Sequence, residues 1–280
     1  MNRKIAMFAA LFFSSTLYAA GAGHTLTETH KQQRTVDAYD TVFIEEMTWV
    51  EVRDAIAEGK TTAIIATGGV EQNGPFLATG KHNVILKETT NRIARQLGNA
   101  LVAPIVPFVP EGNHDPVSGH MRYSGTISLS LATYKKLLEE IALSLKIHGF
   151  ENIVFIGDSG GNQTGMQELT AELNQQWKKE KTQVHYIAEY YDNPRWSNWL
   201  EARNIVEEKD GIHHDFRHTA LMMLVDPMSV RMPQRVNSGD FSVNGVSLLP
   251  LERTLKLANE LTDYQVNITV EAIKNSIDKQ

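Results

Sequence analysis

The sequence predicts an α/β protein built on a mainly parallel sheet, and three observations predict it. Short apolar or β-branched runs recur at 61–66, 100–109, 152–156 and 183–190. The first three are bounded by glycine or proline, and all four are too short for independent helices. Stretches with helical spacing lie between them, and strand alternating with helix is the pattern of parallel α/β folds. Two of the runs, 61–66 and 152–156, pass into glycine pairs and polar loops, where such folds collect their ligand-binding groups.

Taken in order, the chain opens with Arg3 and Lys4, an apolar run at 5–17, and small residues at 19–22. That is the pattern of a secretory signal peptide, 1–22, with a periplasmic or secreted mature protein. An uncleaved membrane anchor is the alternative, although the run is short for a bilayer. No later stretch reads as a membrane span. Residues 23–280 are expected to form a single domain, large enough at 42% hydrophobic residues for a substantial core. Signal removal shifts the formal charge from −6 to −8. An acidic mature chain is poorly suited to nucleic acid or to an anionic membrane. The absence of cysteine excludes disulfides, thiolate nucleophiles and Cys-type zinc sites.

Residues 23–40 are polar and aperiodic, an expected extended arm. Thr48 followed by Glu51 has the spacing of a capping box, so a helix is predicted from Trp49, ending at Gly59. After the strand at 61–66, the loop carries Glu71, Gln72, Asn73, Lys81 and His82, with turns at Gly74-Pro75 and Gly80. A plain surface loop is the alternative there. Helical spacing at 84–97 stops at Gly98. The run at 100–109 holds Pro104 and Pro107, so a strand here is short or at an edge. Helix 131–148 stops at Gly149. Strand 152–156 runs into Gly157-Asp158-Ser159-Gly160-Gly161-Asn162, and a helix is expected at 166–178. This turn has no Walker lysine and no Gly-x-Gly-x-x-Gly, which argues against phosphate binding. Its Gly-Asp-Ser-Gly-Gly string lacks the triad order of a serine protease. Residues 191–199 read as aromatic and irregular, 239–246 as a hairpin or loop, and 250–277 as a long helix.

Four segments together resemble the creatininase (creatinine amidohydrolase) family. The family's Glu-Gln-His-Gly-Pro-His-Leu-Pro is matched by Glu71, Gln72, Gly74, Pro75 and Leu77. Asn73 and Phe76 replace its two histidines, and His82 falls where a metal-bridging aspartate is expected. The family's His before Phe-Pro-Gly-Thr-Ile-Ser-Leu is matched by His120, with 125–129 in frame. Gly160, Gly161 and Asn162 match Asn-Gly-His-Gly-Gly-Asn, with Ser159 in place of a metal-binding His. His213 and Thr219 match the family's His-Ala-Gly and Glu-Thr-Ser, with His218 in place of the Glu. The resemblance spans 47–232.

It implies a three-layer α/β/α fold, a homo-oligomer, a small-molecule substrate, and hydrolysis of an amide or related C–N bond by metal-activated water. The altered positions favour one divalent ion (zinc, manganese or iron) over two, with Glu71, His82, Asp158 and Asp215 as candidate ligands. His213, His120 and Asp158 are the candidate catalytic residues. Asn73, Ser159, Gly160 and Asn162 are the candidate substrate contacts. Catalysis without a metal, using Glu71 or Asp158 as base, and a degenerate periplasmic protein that only binds a small molecule are the competing readings. His114 reads as a solvated loop histidine.

Overall fold

The computed structural model describes residues 32–208 and 213–279. The predicted signal peptide, part of the arm at 23–40, and Gly211-Ile212 lie outside the described residues. The chain divides into two units, 1–35 and 36–280, and everything below concerns the second.

Four parallel strands form the sheet: β1 (Thr62–Thr67), β2 (Ala100–Val102), β3 (Asn152–Gly157) and β4 (Gln183–Tyr186), in the order β2-β1-β3-β4. β2 has only three residues. The chain then turns away, because prolines 104 and 107 remove ladder donors. Phe43 bridges Val102 on its outer side. β1 and β3 run side by side from Thr62↔Asn152 to Thr67↔Gly157, so the loops that follow them emerge together.

Period-two alternation sends neighbouring residues to opposite faces. Ala63 and Ile65 of β1, with Ile153 and Phe155 of β3, pack under helices α3 (Leu131–Ile147) and α4 (Gly160–Gln176) through Tyr134, Leu138, Met166 and Leu169. Ile64, Ala66, Val154 and Ile156 face the other way. They meet Leu86 and Ile93 of α2 (Lys81–Leu97) and Val266, Val270 and Ile273 of the long C-terminal helix. The result is the expected α/β/α layering. A third cluster joins that long helix to α5 (Asn193–Glu201) and α6 (Phe216–Val225).

Caps set the boundaries. Before α1 (Trp49–Ala57), Thr48 and Glu51 form both halves of the capping box. Gly98 closes α2 in the left-handed region. Two expectations change. Residues 191–199, read as irregular, contain α5, which starts with Asp192 as N-cap and Pro194 in its first turn, a strong start signal. α4 begins at Gly160 rather than 166, so the motif loop is itself the helix start. After α7 (Met232–Ser238), strands β5 (Ser242–Val243) and β6 (Val246–Ser247) make the predicted hairpin, and α8 (Leu251–Asp278) is the long helix. Among the described residues, no helix is long and apolar enough to cross a membrane.

Candidate active site

The carboxyl edge of the sheet carries the site because β1 and β3 end together there. Asn162 locks the two corners: its Nδ2 reaches the carbonyls of Thr67 and Gly68, both at 2.9 Å, and Thr67 Oγ1 at 2.8 Å. Asn83 then clamps the loop onto α2 by accepting from the Gly69 N–H and donating to the Gly69 carbonyl. A Cβ on Gly68 would lie 2.0 Å from Asn83 Oδ1, so only glycine fits there. The clamp sets the first turn of α2, and with it Lys81 and His82, beneath the loop that carries Glu71.

A buried row of basic and acidic side chains results. His82 Nε2 is 2.8 Å from Glu71 Oε1, and its Nδ1 is 2.8 Å from Asp158 Oδ2. Lys81 Nζ stands 3.6 Å from Glu71 Oε1, and Arg217 Nη2 stands 3.6 Å from Asp158 Oδ1. All five side chains are at most 5% exposed. Burial alone would raise the pKa of both acids. For Glu71, the hydrogen bond and charge of His82, with Lys81, outweigh it and hold the carboxyl below the usual range. For Asp158, His82 again dominates, helped by His218 and Arg217.

On the outer side, His120 Nε2 is 3.2 Å from Glu71 Oε2 and His213 Nδ1 is 3.5 Å from Glu71 Oε1. The two rings lie 4.3 Å apart. His213 Nδ1 also meets the Gln72 carbonyl at 3.1 Å, and burial depresses the pKa of this ring. Glu111 stands next to Glu71. Burial first, and then the Glu71 charge, push its pKa up to about 9, so it carries a proton at neutral pH. These groups border a cavity of about 710 Å³, whose wall also includes Tyr191, Trp196 and Arg217.

The residues expected from sequence fall into distinct places. Glu71, His82, His120, Asp158, Ser159, Gly160, His213 and Asp215 all line the cavity. Asn73 does not: it donates to the Glu71 and Ala78 carbonyls and borders a separate, smaller pocket. Asn162 is spent on the corner lock described above. Asp215, expected as a metal ligand, is the N-cap of α6 and holds His218 through its backbone N–H and ring Nδ1, both at 2.6 Å. Burial pushes the His218 pKa down to about 4 against the pull of Asp215. Glu111, Lys81 and Arg217 were not expected at the site. Glu111 follows the proline-bounded end of the 100–109 run, and the Ser128 hydroxyl accepts its N–H at 2.9 Å.

Among the described residues, two groups each offer metal-donor atoms within 4.8 Å of one another: Glu71, His120 and His213, and His82, Asp158 and His218. The first supplies one carboxylate and two imidazoles on a partly open wall, a donor set suited to a catalytic ion with an open position. The second is committed elsewhere. Both ring nitrogens of His82 face carboxylates, and Arg217 adds a positive charge beside Asp158.

An α/β protein with an acid–imidazole site at the carboxyl edge of a parallel sheet is the class that fold and site define. The chain belongs to the creatininase family: the family profile described as creatinine amidohydrolase matches residues 45–263. A curated relative, creatinine amidohydrolase of Pseudomonas putida, is 27% identical over 116 residues, covering 41% of this chain and 44% of that protein. The match thus spans less than half of that relative's length. A solved creatininase aligns over 86% of this chain and 98% of its own, with a TM-score of 0.62 at 20% identity. A zinc–zinc form of a creatininase point mutant gives the same values. A manganese form covers 85% of this chain and 98% of its own, with a TM-score of 0.61 at 20% identity. At these identities the solved structures establish the shared fold.

Proposed function

We propose that this chain hydrolyses a C–N bond in a small amide-type substrate, using one divalent ion rather than two. The observation that carries the reading is the convergence of Glu71, His120 and His213 on the open wall of the cavity. Those three residues would hold the ion. When bound, it would acidify a water and polarise the substrate carbonyl. The other groups are the chain's own contribution. The His82 bridge fixes Glu71 in orientation and keeps it ionised. Lys81, at the opposite oxygen from His120, presents a positive charge to the same wall, suited to an oxygen that gains negative charge. Glu111 holds a proton next to Glu71 and is placed to release it to the departing nitrogen.

A point mutant of a related creatininase has been solved with creatine, which supports a small-molecule substrate for this cavity. Creatinine itself is not favoured, because the residues at the family's metal positions differ here. Export through 1–22 and assembly into a homo-oligomer belong to the same reading. N-terminal sequencing of the periplasmic protein and light scattering test them.

A second reading, ligand binding without turnover, is favoured by one observation: His82 occupies the space between two acids where the family resemblance implies a bridging aspartate. One experiment separates the two. Protein purified without chelator is analysed for zinc, manganese and iron, then assayed on cyclic and linear amides. The hydrolase reading expects about one equivalent of metal, lost in Glu71→Gln and His120→Ala together with turnover. A wild type that binds no metal after reconstitution and turns over nothing leaves the binding reading.

A further inference from the structure

Arg217 has donors with nothing to donate to. It is 5% exposed, lines the cavity, and lies over the Trp196 ring at 5.3 Å. Its Nη1 reaches His218 Nε2 at 3.3 Å. Its Nη2 is 3.6 Å from Asp158 Oδ1, an ion contact beyond hydrogen-bond length. Nε and Nη2, the two donors along one edge of the guanidinium, are buried without a hydrogen-bond partner. Leaving such an edge unpaired is costly, and its two parallel N–H groups match the oxygens of a carboxylate.

A second observation concerns the lining of the same cavity. α4, 17 residues long, starts there at Gly160, and its N-cap Ser159 makes no side-chain cap. The first-turn N–H groups of a helix have no intrahelical partners and carry its positive end. Gly160 and Gly161 leave them uncovered. A Cβ on Gly161 would sit 2.0 Å from the Pro110 carbonyl oxygen, so no side chain can shield that turn. A helix start of this kind favours anions.

We propose that Arg217 and the first turn of α4 form a carboxylate subsite, so that the molecule taken by this cavity is an amide carrying a carboxylate. The proposal rests on the hydrolase reading only for calling that molecule a substrate; a carboxylate bound without turnover would occupy the same subsite.

The test uses a matched pair of rings, 5-oxoproline and 2-pyrrolidinone, the same lactam with and without a carboxylate. Each is titrated calorimetrically into the full protein, with and without EDTA. The wild type is expected to prefer 5-oxoproline by about tenfold or more, as a bidentate charged pair predicts. Arg217→Gln should lose that preference and keep its affinity for 2-pyrrolidinone. Arg217→Lys, which keeps the charge and loses the fork, should fall between, and it serves if the glutamine variant does not fold. A merely structural role for Arg217, neutralising Asp158, would lower stability without changing the discrimination. Equal affinities in the wild type, weak binding of both included, overturn the proposal. So does a preference that survives in Arg217→Gln, or one that only EDTA abolishes. Turnover is measured separately, so a protein that prefers 5-oxoproline yet hydrolyses neither ring refutes the hydrolase reading alone.

Discussion

At the scale of single residues, the site is a set of charges that fix one another's state. Glu111 shows the consequence most simply. Its folded pKa of about 9 exceeds that of an unfolded glutamate, near 4.3. Between those values the folded chain holds a proton that the unfolded chain has released, so stability falls as pH rises through that window. Glu111→Gln, which is permanently neutral, should therefore gain stability relative to wild type between pH 5 and pH 8. The gain should be about 1–3 kcal/mol once Glu71 and Lys81 have taken up part of the change. Urea unfolding at the two pH values checks it; an equal difference at both would show that Glu111 is ionised in the fold. The sequence pointed to acids and imidazoles of this site, because Glu71, His82, Asp158 and His213 sit in segments that resemble the family's motifs. It did not expose Glu111, which follows a proline-broken run with no ligand pattern around it. Nor did it show that His82 is held at both ring nitrogens, because that depends on Asp158 arriving from a strand 76 residues away.

Elements were legible wherever a local signal decided them. The capping box at Thr48 and Glu51 is a case in which four residues set a boundary. Thr48→Ala removes both its hydroxyl contacts, the Glu51 N–H and the Glu51 carboxylate, and should cost about 1 kcal/mol, read as a shift in the denaturation midpoint with unchanged slope. α4 was placed six residues late because glycines count against a helix interior. Here they lie in the first turn, where close approach to the Pro110 carbonyl demands Gly161. α5 was masked by its aromatic residues, although Asp192 and Pro194 announced its start. Trp196 and Trp199 are buried in the third cluster with α6 and α8, so they serve the core first, and Trp196 reaches the cavity wall only along one side.

For the whole molecule, the layered fold could be read from alternation alone, since Ala63 to Ala66 divide between two faces of one sheet. Stability at that scale should respond to acid through His185 on β4. Burial lowers its pKa to about 4. Its ring nitrogens meet Ser276 Oγ at 2.9 Å and Asn152 Oδ1 at 3.2 Å, joining β4 to α8 and to β3. The unfolded ring titrates near 6.5. Between pH 4 and 6.5 the unfolded chain thus binds the extra proton, and stability rises with pH until it levels off above 6.5. His185→Gln should flatten that rise by up to about 3 kcal/mol; an acid limb unchanged in the variant would assign it to other groups, His218 first among them.

α8 belongs at once to the cluster behind the sheet, through Val266, Val270 and Ile273, and to the cluster around α5 and α6, through Ala258 and Leu261. Its 28 residues are made after every other element described above. A growing chain can seat α3 and α4 on one side of the sheet early, yet the opposite side has only α2 to cover it until α8 is made. The nascent protein is therefore unfinished in a literal sense: part of one greasy face stays bare until α8 emerges, and a chain stopped near Pro250 is a ready client for chaperones and proteases.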